Sequence, residues 1–210
     1  MKYKSELDQL TKLPYFDQIT LGNLLGISGQ TLQMYITRAV ARGQFIRLKR
    51  SLYVTGDYYR LEFDKEGYSE FLSNVIYGPA YLSLGYILQK YAILTEAVFA
   101  YTAVTVKKTM KIINKTGSYL YTNIKEDQFA GFEIVNRGRY RIRQATKAKA
   151  LYDYLYFEVK KWESVKREIV NGLRFNLDEM DQNSWNEFCG YVNRLGGEKM
   201  KKIEKILCNQ

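Results

Sequence analysis

At Gly43 the spacing of apolar residues in this chain changes from helical to alternating. Before it, Leu32, Ile36, Ala39 and Val40 fall on one face of a helix that Ser28 can cap and that runs to about Arg42, where the glycine supplies a stop. After it, Ile46 and Leu48 alternate with Arg47 and Lys49, and Leu52 and Val54 answer them across Lys49-Arg50-Ser51, the pattern of a β-hairpin with a basic tip. Upstream, Leu21, Leu24, Leu25 and Ile27 predict a short helix capped by Thr20, broken by Gly26-Ile27-Ser28 so that the two helices meet in a tight turn. Leu7 and Leu10 predict a further helix within Met1 to Thr11, packed on the other two.

The order Gly22, Gly26, Ile27, Ser28, Thr31, Leu32, Ile36 resembles the helix-turn-helix pattern of bacterial repressors. The solvent face of the second helix then carries Gln30, Thr31, Gln33, Met34, Thr37 and Arg38, with Ser28 at its start. Amides, hydroxyls and an arginine are the groups that read base edges in a major groove or fix adjacent phosphates. A hairpin placed directly behind such a pair resembles a wing, where Arg47, Lys49 and Arg50 would supply charge to the sugar-phosphate backbone and no sequence information. A winged helix that binds protein instead usually lacks a basic face.

Charge agrees with that reading. The formal net charge is +10, and between Gln30 and Tyr53 there are five basic residues (Arg38, Arg42, Arg47, Lys49, Arg50) and no acidic one. Between Ala97 and Tyr152 eleven basic residues face Glu126, Asp127 and Glu133, whereas the segment beyond is balanced. An excess confined to particular segments points to a polyanionic partner. The second excess predicts a basic patch of Lys107, Lys108, Arg137, Arg139, Arg141, Arg143, Lys147 and Lys149, the four arginines lying on one face if they share a strand. Lys147 and Lys149 stand at a predicted helix start, where cations are disfavoured unless something offsets the dipole.

Mixed charge from Asp57 to Glu70 marks a boundary, giving domains 1–62 and 63–210. In the second, helices are predicted near Phe71 to Ile76 and from Gly78-Pro79-Ala80-Tyr81-Leu82-Ser83-Leu84 to about Tyr91. Strands follow at Ala100–Val106, Met110–Ile113, Tyr119–Ile124, Gly131–Val135 and Tyr140–Ile142. Helices return near Lys147–Trp162, Glu163–Asn171, Ser184–Leu195 and Glu198–Leu207. The fold class read from this order is α+β, a small winged helix-turn-helix domain followed by a larger domain with a central sheet and a helical C-terminal end.

The motif order Pro79-Ala80-Tyr81-Leu82-Ser83-Leu84, then Thr105-Val106-Lys107-Lys108, then Ala145-Thr146-Lys147-Ala148-Lys149-Ala150-Leu151-Tyr152-Asp153, behind the N-terminal pattern, resembles the AbiEi family of type IV antitoxins and their stand-alone relatives. Ser51 stands at the hairpin tip where that family tends to have glycine, and Lys147-Ala148 where it tends to have Pro-Glu. The resemblance implies a transcriptional repressor that binds inverted repeats of double-stranded DNA in its own promoter and counters a nucleotidyltransferase-like toxin. A stand-alone regulator without a toxin is the alternative within the same family.

Other classes recede. Histidine is absent, removing the commonest general base and a usual metal ligand, and two cysteines are too few for a disulfide framework. No signal-peptide pattern and no long apolar run occurs, so a cytoplasmic protein with no membrane partner is expected. Glu158-Val159-Lys160 has the acid-x-lysine form of some metal-dependent nucleases, with Asp153 or Glu133 as an upstream ligand. Its spacing is helical, with Leu151, Leu155 and Val159 as a core stripe, so no catalytic residue, metal or cofactor is expected.

Overall fold

In the computed structural model, residues 4–171 and 175–207 are described. The chain is mixed α and β, and its contacts divide it into two compact units, residues 1–69 with 112–117, and residues 70–111 with 118–210.

In the first unit the helices α1 (Lys4–Leu10), α2 (Gln18–Leu25) and α3 (Gly29–Ala41) precede a three-stranded antiparallel sheet. Its strands are β1 (Phe16–Asp17), β2 (Phe45–Lys49) and β3 (Leu52–Thr55), in the order β1-β3-β2, and α4 (Gly56–Leu61) follows. One core closes the unit: Leu10, Leu21, Leu25, Leu32, Ile36 and Ala39 from the helices meet Phe16, Phe45 and Tyr53 from the strands. The corner between α2 and α3 needs its small residue, because a Cβ on Gly22 would stand 3.0 Å from both the Ile27 carbonyl oxygen and Leu32 Cδ2. The cap of α2 differs from expectation. Asp17, not Thr20, is its N-cap, accepting from the Thr20 N–H at 2.7 Å, and the hydrogen bonds to the carboxylate hold Asp17 below the usual carboxylate range. Ser28 occupies the N-cap position of α3 without a side-chain cap hydrogen bond.

α5 (Lys65–Ile76) spans the boundary between the units. The larger unit is built on a six-stranded mixed sheet of β4 (Ala80–Leu82), β5 (Tyr101–Thr105), β6 (Met110–Asn114), β7 (Gly117–Asn123), β8 (Phe132–Arg137) and β9 (Tyr140–Ala145). Their order is β6-β7-β5-β4-β9-β8, with the tip of the β6–β7 hairpin counted in the first unit. The helices are α6 (Leu84–Lys90), α7 (Lys147–Glu158), α8 (Val165–Asn171), α9 (Gln182–Leu195) and α10 (Glu198–Leu207). Tyr81 reaches from the sheet to Asp153 on α7, while on the other face Phe71 stacks on Tyr140 at 5.1 Å.

The expected helix over Gly78 to Tyr91 is corrected. Ala80–Leu82 is a central strand, antiparallel to β5 and touching β9 in parallel at Leu82↔Gln144, and the helix begins only at Leu84. All three residues of β4 are fully buried, so the strand reads as an unbroken apolar run with no alternation to distinguish it from a helix.

Candidate nucleic-acid interface

α3 buries Leu32, Ile36 and Ala39, and the 3.6-residue period then turns Gln30, Thr31, Gln33, Met34, Thr37 and Arg38 to solvent, with Ser28 exposed at the helix start. The Thr37 hydroxyl donates back to the Gln33 carbonyl at 2.9 Å, which leaves its lone pairs outward. Beside the helix, Ile46, Leu48, Leu52 and Val54 are buried, so β2 and β3 present Arg47 and the tip residue Arg50 to solvent, with Lys49 half-buried between them. The register shifts between Arg47 and Lys49.

Helix and hairpin converge on one concavity. Gln33 of α3 lines a groove of about 750 Å3 together with Gln18, Arg47, Arg50, Ser51 and Tyr53. The Arg47 guanidinium lies 5.8 Å from the Tyr53 ring centroid, which fixes its direction. A second groove of about 730 Å3 runs on past Gln18 and Ser51 to Gly22, Gly26 and Ser28 at the turn between the helices. Gln18 and Ser51 join the two grooves: the Gln18 N–H donates to the Ser51 carbonyl at 3.1 Å. The sequence reading missed Gln18 and Tyr53. Gln18 is brought there by pairing of β1 with β3, Phe16↔Tyr53 and Asp17↔Leu52, and a two-residue strand leaves no periodic trace.

Ser51 has φ 62, the left-handed region where a Cβ is strained, and this accounts physically for a glycine preference at such a hairpin tip.

The expected second basic patch separates into parts with different surroundings. Arg137 pairs across β8 and β9 with Tyr140, so it shares the covered face with Tyr140 and Ile142, and its guanidinium lies 3.1 Å from Glu70, a carboxylate with no exposure. Arg139 is in the turn, and only Arg141 and Arg143 point to the opposite face, where both side chains are exposed. The four-arginine stripe is therefore corrected: the two-residue turn at Gly138-Arg139 ends the alternation that would have aligned them. Lys107 donates to the Gly78 carbonyl and sits over the Tyr77 ring, while Lys108 is exposed. Lys147 donates to the Glu179 carbonyl at 3.0 Å and lies 3.8 Å from Asp181, so protein groups already offset its place at the start of α7.

Lys149 has no surface at all. Its ammonium pairs with Asp153 at 2.5 Å, donates to the Gln128 carbonyl at 3.1 Å, and is ringed by Tyr81, Tyr152 and Tyr191 with centroids at 5.8, 5.1 and 5.5 Å. The other Asp153 oxygen accepts from Tyr81 at 2.9 Å and from Ser83 at 2.8 Å. Burial pushes the Asp153 carboxyl up, and Lys149 and the two hydroxyls pull it back. The same burial and the neighbouring carboxylate push the Tyr81 hydroxyl far above its ordinary value. The two sequence motifs around Tyr81 and around Lys149 thus meet in one buried ion pair. A lysine, a serine and a tyrosine around a carboxylate could suggest catalysis, but Lys149, Asp153, Tyr81 and Ser83 are fully buried, so a substrate has no access to the cluster.

The acid-x-lysine triplet does not assemble into a metal centre. Glu158 pairs with Lys161 at 2.6 Å, Asp153 faces inward to Lys149, and among the described residues no three carboxylate, cysteine or histidine groups cluster as metal ligands would. No described helix is long and apolar enough to cross a membrane. Comparison of the sequence with protein-family models and with curated proteins finds no match in either.

Proposed function

We propose that this chain is a sequence-specific DNA-binding protein of the winged-helix type that represses transcription from its own promoter, and that it is not an enzyme. The observation that carries this reading is the groove into which Gln33 of α3 and Arg47 and Arg50 of the hairpin all project. A polar helix face beside a basic strand pair combines base reading with phosphate anchoring in one surface. In this reading Gln33 and Arg38 read bases, Thr31, Met34 and Thr37 pack against base edges, and Arg47, Lys49 and Arg50 hold the backbone.

The antitoxin role is proposed from the order of the three motifs in the second unit, which resembles that of the AbiEi family. Under it, the chain binds promoter inverted repeats and opposes a nucleotidyltransferase-like toxin in the cytoplasm. A stand-alone regulator shares the DNA-binding step and differs only in lacking the toxin. A nucleotidyltransferase-like reading frame beside the gene, and rescue of growth when both are expressed, separate the two.

The DNA reading is tested by competition binding between operator and random duplex. Replacing Gln33 and Arg38 by alanine is expected to reduce discrimination by about 1 to 3 kcal/mol per lost base contact while the far-UV spectrum stays unchanged. An unchanged specificity ratio removes α3 from the recognition role.

A further inference from the structure

β8 is an edge of the six-stranded sheet, hydrogen-bonded to β9 alone among the described strands. Its ladder runs without a register shift from Phe132↔Ala145 to Arg137↔Tyr140, so one full side of a six-residue strand presents its backbone N–H and C=O groups outward. Natural edges are usually closed by charged side chains, proline or a bulge; Phe132-Glu133-Ile134-Val135-Asn136-Arg137 has no proline and no bulge, and its two charges, Glu133 and Arg137, are of opposite sign. The opposite edge, β6, carries Lys111. Ile134, in the middle of β8, is 51% exposed.

We propose that β8 is an interaction surface for a second copy of this chain, the two β8 strands pairing antiparallel about a two-fold axis at Val135. The charges select that register. With Val135 opposite its own symmetry mate, Glu133 of each copy faces Arg137 of the other, and Ile134 faces Asn136. Parallel in-register pairing would set Glu133 on Glu133 and Arg137 on Arg137. Moving the axis one residue to Ile134 would face Glu133 with Val135 and Arg137 with Gly131, losing both opposite-charge pairs. Arg137 is already held by Glu70 at 3.1 Å, so its direction is set before a partner arrives. A single pair of strands buries little area, so the dimer is expected to be weak and concentration-dependent.

The proposal stands independently of the DNA-binding reading, since neither α3 nor the hairpin enters it. It is tested on the full chain by sedimentation equilibrium over a wide concentration range, alongside Ile134→Lys, a change at an exposed position that closes the edge without touching the core. The expected result is a mass rising from 24.6 kDa toward twice that value, with association weakened at least about tenfold in Ile134→Lys and the circular dichroism unchanged. A second variant reads the register directly. Val135→Cys, in a chain with Cys189 and Cys208 changed to serine, should form a symmetric disulfide under mild oxidation, because opposed residues of an antiparallel pair lie within disulfide reach. A mass that stays monomeric at every concentration overturns the proposal. So does a dimer that ignores Ile134→Lys and leaves Val135→Cys unlinked, which would place the interface elsewhere. DNA affinity for a single half-site, measured on the same samples, tests the separate reading of α3.

Discussion

In the first unit Arg38, Arg47 and Arg50 stand in solvent, whereas in the second Lys149 is enclosed by tyrosine rings, and Arg137 and Lys90 are held by Glu70, a carboxylate with no exposure. Both stretches are strongly basic in sequence. The difference lies in what each cation meets: the hairpin and α3 contain no carboxylate to pair with, while the second unit brings Glu70 and Asp153 inside its core. Positive charge in a sequence therefore becomes a positive surface only where no buried acid claims it. The first unit's cations should matter for binding and hardly for stability, and the second unit's internal cations the reverse.

The largest expected effect breaks the Lys149–Asp153 pair. Asp153→Ala leaves a buried ammonium without its counter-ion and should destabilise the protein by about 3 to 5 kcal/mol in urea unfolding, whereas Arg38→Ala should stay within about 0.5 kcal/mol. Replacing both partners together, Lys149→Met with Asp153→Leu, should recover much of that loss, since no charge is left unpaired. If Asp153→Ala unfolds like the wild type, the contrast between the units fails. Glu70→Ala should cost less, about 2 to 3 kcal/mol, because Lys90 and Arg137 are part exposed and can turn to water.

Smaller effects belong to the first unit. Asp17→Ala removes the N-cap of α2 and should cost about 1 kcal/mol. Its sign with pH follows from the lowered carboxyl: the contribution is present above the ordinary carboxylate range and is lost as pH falls through the lower folded value. The acid limb of a stability curve should therefore flatten in the variant, and an unchanged limb would remove Asp17 from the account. Smallest is Ser51→Gly, which relieves a left-handed serine at the hairpin tip and should stabilise by about 0.5 kcal/mol after glycine's own entropy cost.

How much of this could be read from the residues depended on where each element lies. α3 and β2 were legible because each keeps an exposed position among buried ones, so Leu32, Ile36, Ile46 and Leu48 leave a period, and Gly43 marks the change. β4 was not, because burial on both faces removes the alternation that reveals a strand. Arg137 was misplaced because a two-residue turn, invisible to a counting argument, separates it from Arg141 and Arg143. Lys149 and Asp153 are four residues apart on a helix, a spacing that signals an ion pair but carries no information on whether that pair faces water or the core. Of the groove proposed for recognition, the helix and tip residues were legible, while Gln18 and Tyr53 depended on a strand pairing between segments far apart in sequence.

The most direct test of the account is the salt dependence of operator affinity for three proteins: wild type, Arg47→Ser with Arg50→Ser, and Arg137→Ser. Each neutralised phosphate contributes roughly 0.9 to the slope of log affinity against log salt, so the hairpin double variant should lose about two units of slope, with its unfolding midpoint little changed. Arg137→Ser, held by Glu70 in the second unit, should keep the wild-type slope and lose stability instead. A wild-type slope in the hairpin variant, or a reduced slope in Arg137→Ser, would contradict the assignment of DNA contact to the first unit and of internal support to the second.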